Sequence, residues 1–132
     1  MKYRIDLKTA LIAAVLAAAI NTGLYYLGVE LGVIDTSLTV RPDGGGLTLS
    51  PVLVFSIAPV FLAWFVFLLI ANISSEPIKW FSILAILFLV LSFGLPFSVE
   101  GIQMPMVLYL NLMHAVVAGI VLYLFRKQAF QK

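Results

Sequence analysis

A chain of 132 residues that is 63% hydrophobic and only 11% charged is one domain with too little charge to cover a water-soluble surface. Soluble domains carry roughly 45–50% apolar and roughly 25% charged residues, so the soluble and disordered classes are excluded and a small integral membrane protein is left. The net charge of +2 forms no basic stripe, which argues against nucleic acid, and the absence of cysteine excludes disulfides and thiolate metal sites.

A membrane-spanning helix needs about 20 predominantly apolar residues, and four segments qualify. The first, residues 7–27, is rich in alanine, with Thr9, Asn21 and Thr22 as its polar interruptions. Lys2, Arg4 and Lys8 ahead of it, and Ala17-Ala18-Ala19 within it, resemble a signal peptide. Apolarity persists through Leu24-Tyr25-Tyr26-Leu27, so an uncleaved first span is expected.

The connection over residues 28–50 is the longest. Two alternating runs, Ser37 to Arg41 and Leu47 to Ser50, flank the turn-forming Pro42-Asp43-Gly44-Gly45-Gly46. This pattern predicts a small β-hairpin with Leu38, Val40, Leu47 and Leu49 on one contact face. An isolated hairpin is marginal in water, so that face is expected to lie on the helix ends or on a partner. The glycines do not read as a phosphate loop, because no Walker lysine follows them.

The second span, residues 51–71, opens on Ser50-Pro51, which reads as an N-cap followed by proline at the first helical position. Pro59 is expected to kink it. The third, residues 78–97, follows Ser75-Glu76-Pro77, and the fourth, residues 105–125, follows Met104-Pro105. The fold class expected is an all-α membrane protein, a four-helix up-and-down bundle in a single domain with the hairpin between helices one and two.

Lys2, Arg4, Lys8, Lys79, Arg126, Lys127 and Lys132 fall on one side of such a bundle, and only Arg41 on the other. This asymmetry predicts cytoplasmic termini and a multi-pass protein of the cell (inner or plasma) membrane. Trp80, Tyr3 and Tyr123 suit the inner interfacial belt, and Tyr25, Tyr26 and Tyr109 the outer one. Glu30, Asp35, Asp43 and Glu100 fall outside, where solvated loop residues are expected rather than a cation-attracting rim.

Asn21, Asn111 and His114 need explanation, because polar groups facing lipid are costly. At 1.5 Å per residue, Asn21 rises about 21 Å from the inner face and Asn111 lies about 9 Å below the outer one. In a core about 30 Å thick these depths coincide, with His114 one turn deeper. Ala10, Ala14, Ala17, Asn21 and Gly28 form a small-residue stripe on helix one; Asn111, Ala115, Ala118 and Leu122, with Gly119 alongside, form another on helix four. Helices one and four are therefore expected to be neighbours, with Asn21, Asn111 and His114 as an interhelical polar cluster. Structural bonding between helices is the first reading of that cluster. A ligand or proton path is the second, and cofactor binding by His114, as axial ligand of a haem or pigment, the third.

The alanine-rich first span, the outer threonine and leucine loop, and Met113-His114-Ala115-Val116-Val117-Ala118 in the last span carry a resemblance. The chain resembles a family of uncharacterised prokaryotic four-helix integral membrane proteins of unknown function. That resemblance transfers no activity.

No nucleophile–base pair, carboxylate pair or metal-ligand cluster stands out, so neither enzyme activity nor a catalytic or metal site is expected, and no cofactor is assigned. The expected role is a non-catalytic accessory or scaffold subunit, embedded in the bilayer and binding another membrane protein or itself through helix faces and the outer hairpin. The alternative is an oligomeric transporter or channel for a small solute or ion, with a polar site at Asn21, Asn111 and His114.

Overall fold

A computed structural model describes residues 3–40 and 43–130. Lys2, Arg41, Pro42 and Lys132, which entered the charge count and the turn, lie outside the described residues. Helix α1 spans Leu7–Glu30, α2 Leu49–Ile73, α3 Pro77–Ser92 and α4 Met104–Phe130, with a 3₁₀ turn at Leu95–Ser98.

Each start has a local cause. Asp6 caps α1, its Oδ1 accepting from the Thr9 N–H at 2.8 Å. Pro77 and Pro105 sit in the first turns of α3 and α4, where a missing N–H costs no helical bond. The expected Ser50 cap of α2 is corrected. Thr48 is the cap, in extended conformation, and Ser50 and Pro51 already lie in the first helical turn. Pro51 is tolerated there because first-turn N–H groups have no intrahelical partner. Helix α2 runs without a break through Pro59. Helix α3 ends at Ser92, and since Pro96 has no N–H to continue the α-helical ladder, the chain runs on as the 3₁₀ turn.

Helix α1 packs on α2 and α4, α3 packs on the same two, and α2 touches α4 across the bundle. Short links between α2 and α3 and between α3 and α4 make these neighbours antiparallel. All four segments, α3 being counted through to Ser98, are long and apolar enough to cross a membrane. The chain is a multi-pass membrane protein.

The expected β-hairpin is not present: among the described residues there is no β-strand. One antiparallel bridge joins Thr39 to Gly46, and the Val40 N–H donates to the Gly45 carbonyl at 3.1 Å. Both arms are too short for a ladder. On the first, Asp35 Oδ1 accepts from the Ser37 N–H at 2.8 Å and its hydroxyl at 2.6 Å, bending the chain at its start. These bonds, the hydroxyl's foremost, hold the Asp35 carboxyl below its ordinary pKa. On the second arm, α2 begins at Leu49, so only Leu47 and Thr48 follow the bridge. At the turn, Asp43 Oδ1 accepts from the Gly45 N–H at 3.0 Å, and Gly44 takes a positive φ of 83°. Gly46 lies so close to the Thr36 carbonyl that a Cβ there would collide with it. Leu38, Val40, Leu47 and Leu49 do pack against the helix ends, as parts of a folded loop and of α2, and Leu47 is buried.

The interior has two apolar clusters. Towards the end that carries the termini, Ala10, Ala13, Ala14 and Ala17 let α1 approach closely. Beside them Phe67, Phe81 and Phe125 join α2, α3 and α4. Phe67 meets the other two rings edge-on at centroid distances of 5.3 and 6.3 Å, while Phe81 and Phe125 stack at 5.7 Å. At the loop end Tyr25, Ile34, Leu47, Val52, Met106 and Met113 form the second cluster.

Hydrogen bonds tie the helix ends together. The Asp6 N–H donates to Gln128 Oε1 at 3.0 Å, and Gln128 Nε2 donates back to Asp6 Oδ2 at 2.6 Å. Trp64 Nε1 donates to the Ile5 carbonyl at 2.9 Å. At the opposite end Gly28 leaves room for Ile34 and Tyr109, whose atoms lie 2.8 Å from where a Cβ would stand.

Candidate functional site

Among the described residues the buried polar ones are Asn21, at 3% exposure, and Ser56, at 1%. Asn21 lies on the closely packed face of α1, continuing the row of Ala10, Ala14 and Ala17. Its Nδ2 donates to Ser56 Oγ on α2 at 2.9 Å and to the Met113 carbonyl on α4 at 3.2 Å. Ser56 Oγ in turn donates to the Val52 carbonyl at 2.7 Å. Both amide hydrogens of one asparagine are thereby used, and three helices are fastened at one level. Met113 keeps its place in α4, because a carbonyl oxygen has two lone pairs.

Asn111 and His114 make no hydrogen bond to that junction. Asn111 is half-buried, and its Nδ2 donates to the Phe93 carbonyl at the end of α3, at 3.3 Å. His114, also half-buried, follows one turn along α4. The structure thus brings Asn21 to Ser56 and Met113, while Asn111 bonds towards α3; no hydrogen bond joins Asn21 to Asn111 or His114.

Each of the three residues keeps a buried atom without a hydrogen-bond partner: Asn21 Oδ1, Asn111 Oδ1 and His114 Nδ1. No other buried side-chain nitrogen or oxygen among the described residues is in this state. Buried polar atoms are normally satisfied, so three orphans in one region of an apolar bundle mark it out. Chemically the region offers two amide oxygens and an imidazole nitrogen, neutral groups that accept hydrogen bonds or, for the imidazole, also donate them. Among the described residues no three His, Cys, Asp or Glu side chains come together as a metal site. His114 brings one imidazole, so bis-ligated haem would need its second ligand from elsewhere.

The residue missed in the sequence is Ser56. It is visible there only as an interruption of an apolar run, and serines in membrane helices commonly bond their own helix backbone, as Ser82 does to Ile78. Tyr25 and Tyr109, expected in the outer belt, lie at the loop end with their rings turned inward. The Tyr25 hydroxyl donates to the Leu47 carbonyl at 3.1 Å, and that of Tyr109 to the Leu24 carbonyl at 2.7 Å. Both phenols pin the loop end of the bundle. Tyr26, Trp80 and Tyr123 remain exposed, as belt residues would be.

Residues 2–131 match DUF6069, a family of unknown function. The chain belongs to that family. The DUF6069 match spans all four helices and includes the Met113-His114 motif, whose methionine supplies the carbonyl that receives Asn21. No curated protein and no solved structure matches the chain.

Proposed function

We propose that this chain is a non-catalytic subunit of the plasma membrane, with cytoplasmic termini, that binds another membrane protein or further copies of itself through its helix faces. The observation that carries the reading is the pair of orphaned atoms, Asn111 Oδ1 and His114 Nδ1, on half-buried side chains of α4. Lipid tails offer nothing to satisfy such atoms, whereas a polar side chain on a neighbouring helix does. Both residues are partly exposed, as a helix laid against α4 would require.

Native purification in mild detergent followed by mass spectrometry tests this directly. A stoichiometric foreign subunit or a discrete homo-oligomer is expected, and a monomer without partners would overturn the proposal. His114→Leu, which removes the orphan, is expected to fold at least as well as wild type and to lose the partner. His114→Gln is expected to keep it, since an amide also offers a donor and an acceptor.

A transporter or channel is the second reading, favoured by one observation: the third orphan, Asn21 Oδ1, lies inside the bundle. The subunit reading takes precedence because the Asn21 amide is committed to Ser56 and Met113, bonds that hold helices together rather than leave a group for a solute. Solute flux in vesicles that disappears in His114→Gln would reverse that order.

The orientation has its own test. Single cysteines at Asp43 and Glu76 are expected to react with an impermeant thiol reagent added outside cells only at 43, following the basic-residue asymmetry. Labelling at 76 from outside would invert the topology.

A further inference from the structure

At the end of the bundle that carries the termini, a groove of about 500 Å³ opens between the start of α3 and the last turns of α4. One part of its wall is charged. Lys79, Glu76 and Arg126 line it, with the hydroxyl-bearing Ser75 and Tyr3 beside them. The other part is apolar, where Ile83 and Phe130 face the opening.

The charges do not cancel. Lys79 Nζ lies 3.1 Å from Glu76 Oε2, and these two neutralise one another. Among the described residues no carboxylate pairs with Arg126. The groove therefore carries one net positive charge, on the side chain whose planar fork suits a phosphate. Its level in the membrane is marked by Trp80 and Tyr123, both exposed, with Lys79 and Lys127 each 5.9 Å from the adjoining ring centre. Aromatic side chains paired with lysines in this way sit at headgroup depth. The apolar side leads onto the outward face of α3, where Ile83 and Leu87 are exposed one turn apart.

A monoanionic head beside an apolar track is the chemistry of one kind of molecule. We propose that the groove binds one anionic phospholipid, its phosphodiester against Arg126 and an acyl chain along Ile83 and Leu87. A zwitterionic lipid fits less well, since its own cation would meet the uncompensated arginine. The assignment is independent of what the helix faces bind.

The test is native mass spectrometry of the full chain in detergent, with phosphatidylglycerol or phosphatidylcholine added. Retention of phosphatidylglycerol is expected to exceed that of phosphatidylcholine by about fivefold, the effect of one basic side chain near an anionic surface. Arg126→Gln should erase the difference, and Glu76→Gln, which removes the opposing carboxylate, should enlarge it. Lys8→Gln removes an exposed positive charge outside the groove and should change nothing. Arg126 is exposed, so its substitution leaves the fold intact, which unaltered thermal unfolding would verify. Equal retention of the two lipids, or Arg126→Gln behaving like Lys8→Gln, would overturn the proposal. Displacement of phosphatidylglycerol by millimolar inorganic phosphate would also overturn it, by showing a site for the free anion.

Discussion

Phe125→Ala is expected to destabilise the bundle by about 3 kcal/mol, the lower end of the range for large aromatic residues in water-soluble cores. Phe125 is fully buried, and its ring meets Phe81 and Phe67, so one truncation opens a cavity among three helices. The lower end applies because lipid and core are similarly apolar, which shrinks the transfer contribution and leaves lost packing to decide. Helix α3 should suffer most, since Phe81 and Pro77 are its only buried residues and Phe81 stacks on Phe125. Thermal unfolding in detergent, compared with Phe125→Leu and with Phe130→Ala, measures this. Phe130 is 70% exposed at the end of the same helix, so its truncation should be nearly neutral. A Phe125→Ala protein as stable as Phe130→Ala would mean that the aromatic trio does not hold α3.

The spans were legible because apolar length alone makes them, and Pro77 and Pro105 mark helix starts in the sequence as well as in the fold. Which face of a span turns inward was legible only where residue type differs between faces. On α1 the stripe of Ala10, Ala14, Ala17, Asn21 and Gly28 is buried as a set, because small residues pack close and asparagine avoids lipid. On α4 the deeply buried line is Met113, Val117, Val121 and Phe125, while Ala115, Ala118 and Leu122 are half-buried and Gly119 is exposed. Nothing in a valine or a methionine distinguishes core from lipid, so that face could not be read from composition. The depth argument did bring Asn21 level with the right part of α4. It could not foresee that the partner there is a backbone carbonyl, which every residue carries, together with a serine from α2. The hairpin failed for a different reason: alternation reports which residues turn inward, and a folded loop that precedes an early helix start satisfies the same demand.

Asn21→Asp is expected to cost up to about 2.5–3.5 kcal/mol, the penalty for an acidic residue at the very centre of a membrane span, which Asn21 falls somewhat short of. The substitution keeps the shape of the side chain and removes both donors. The Met113 carbonyl, 3.2 Å away, then faces an acceptor, and Ser56 Oγ can help only by abandoning its bond to Val52. Asn21→Ala also loses the two bonds but buries no charge, so its cost should stay near about 1 kcal/mol, two interhelical bonds at about 0.6 kcal/mol each. Ser56→Ala should cost less than either, because Asn21 keeps its bond to Met113. The series separates two meanings of the same buried residue. If Asn21 is a fastening between α1, α2 and α4, aspartate must be much worse than alanine in thermal unfolding and in yield of folded protein. If aspartate is tolerated as well as alanine, the fastening role is overturned, and a solute-flux measurement in vesicles then decides whether the transporter reading replaces the subunit reading at this site.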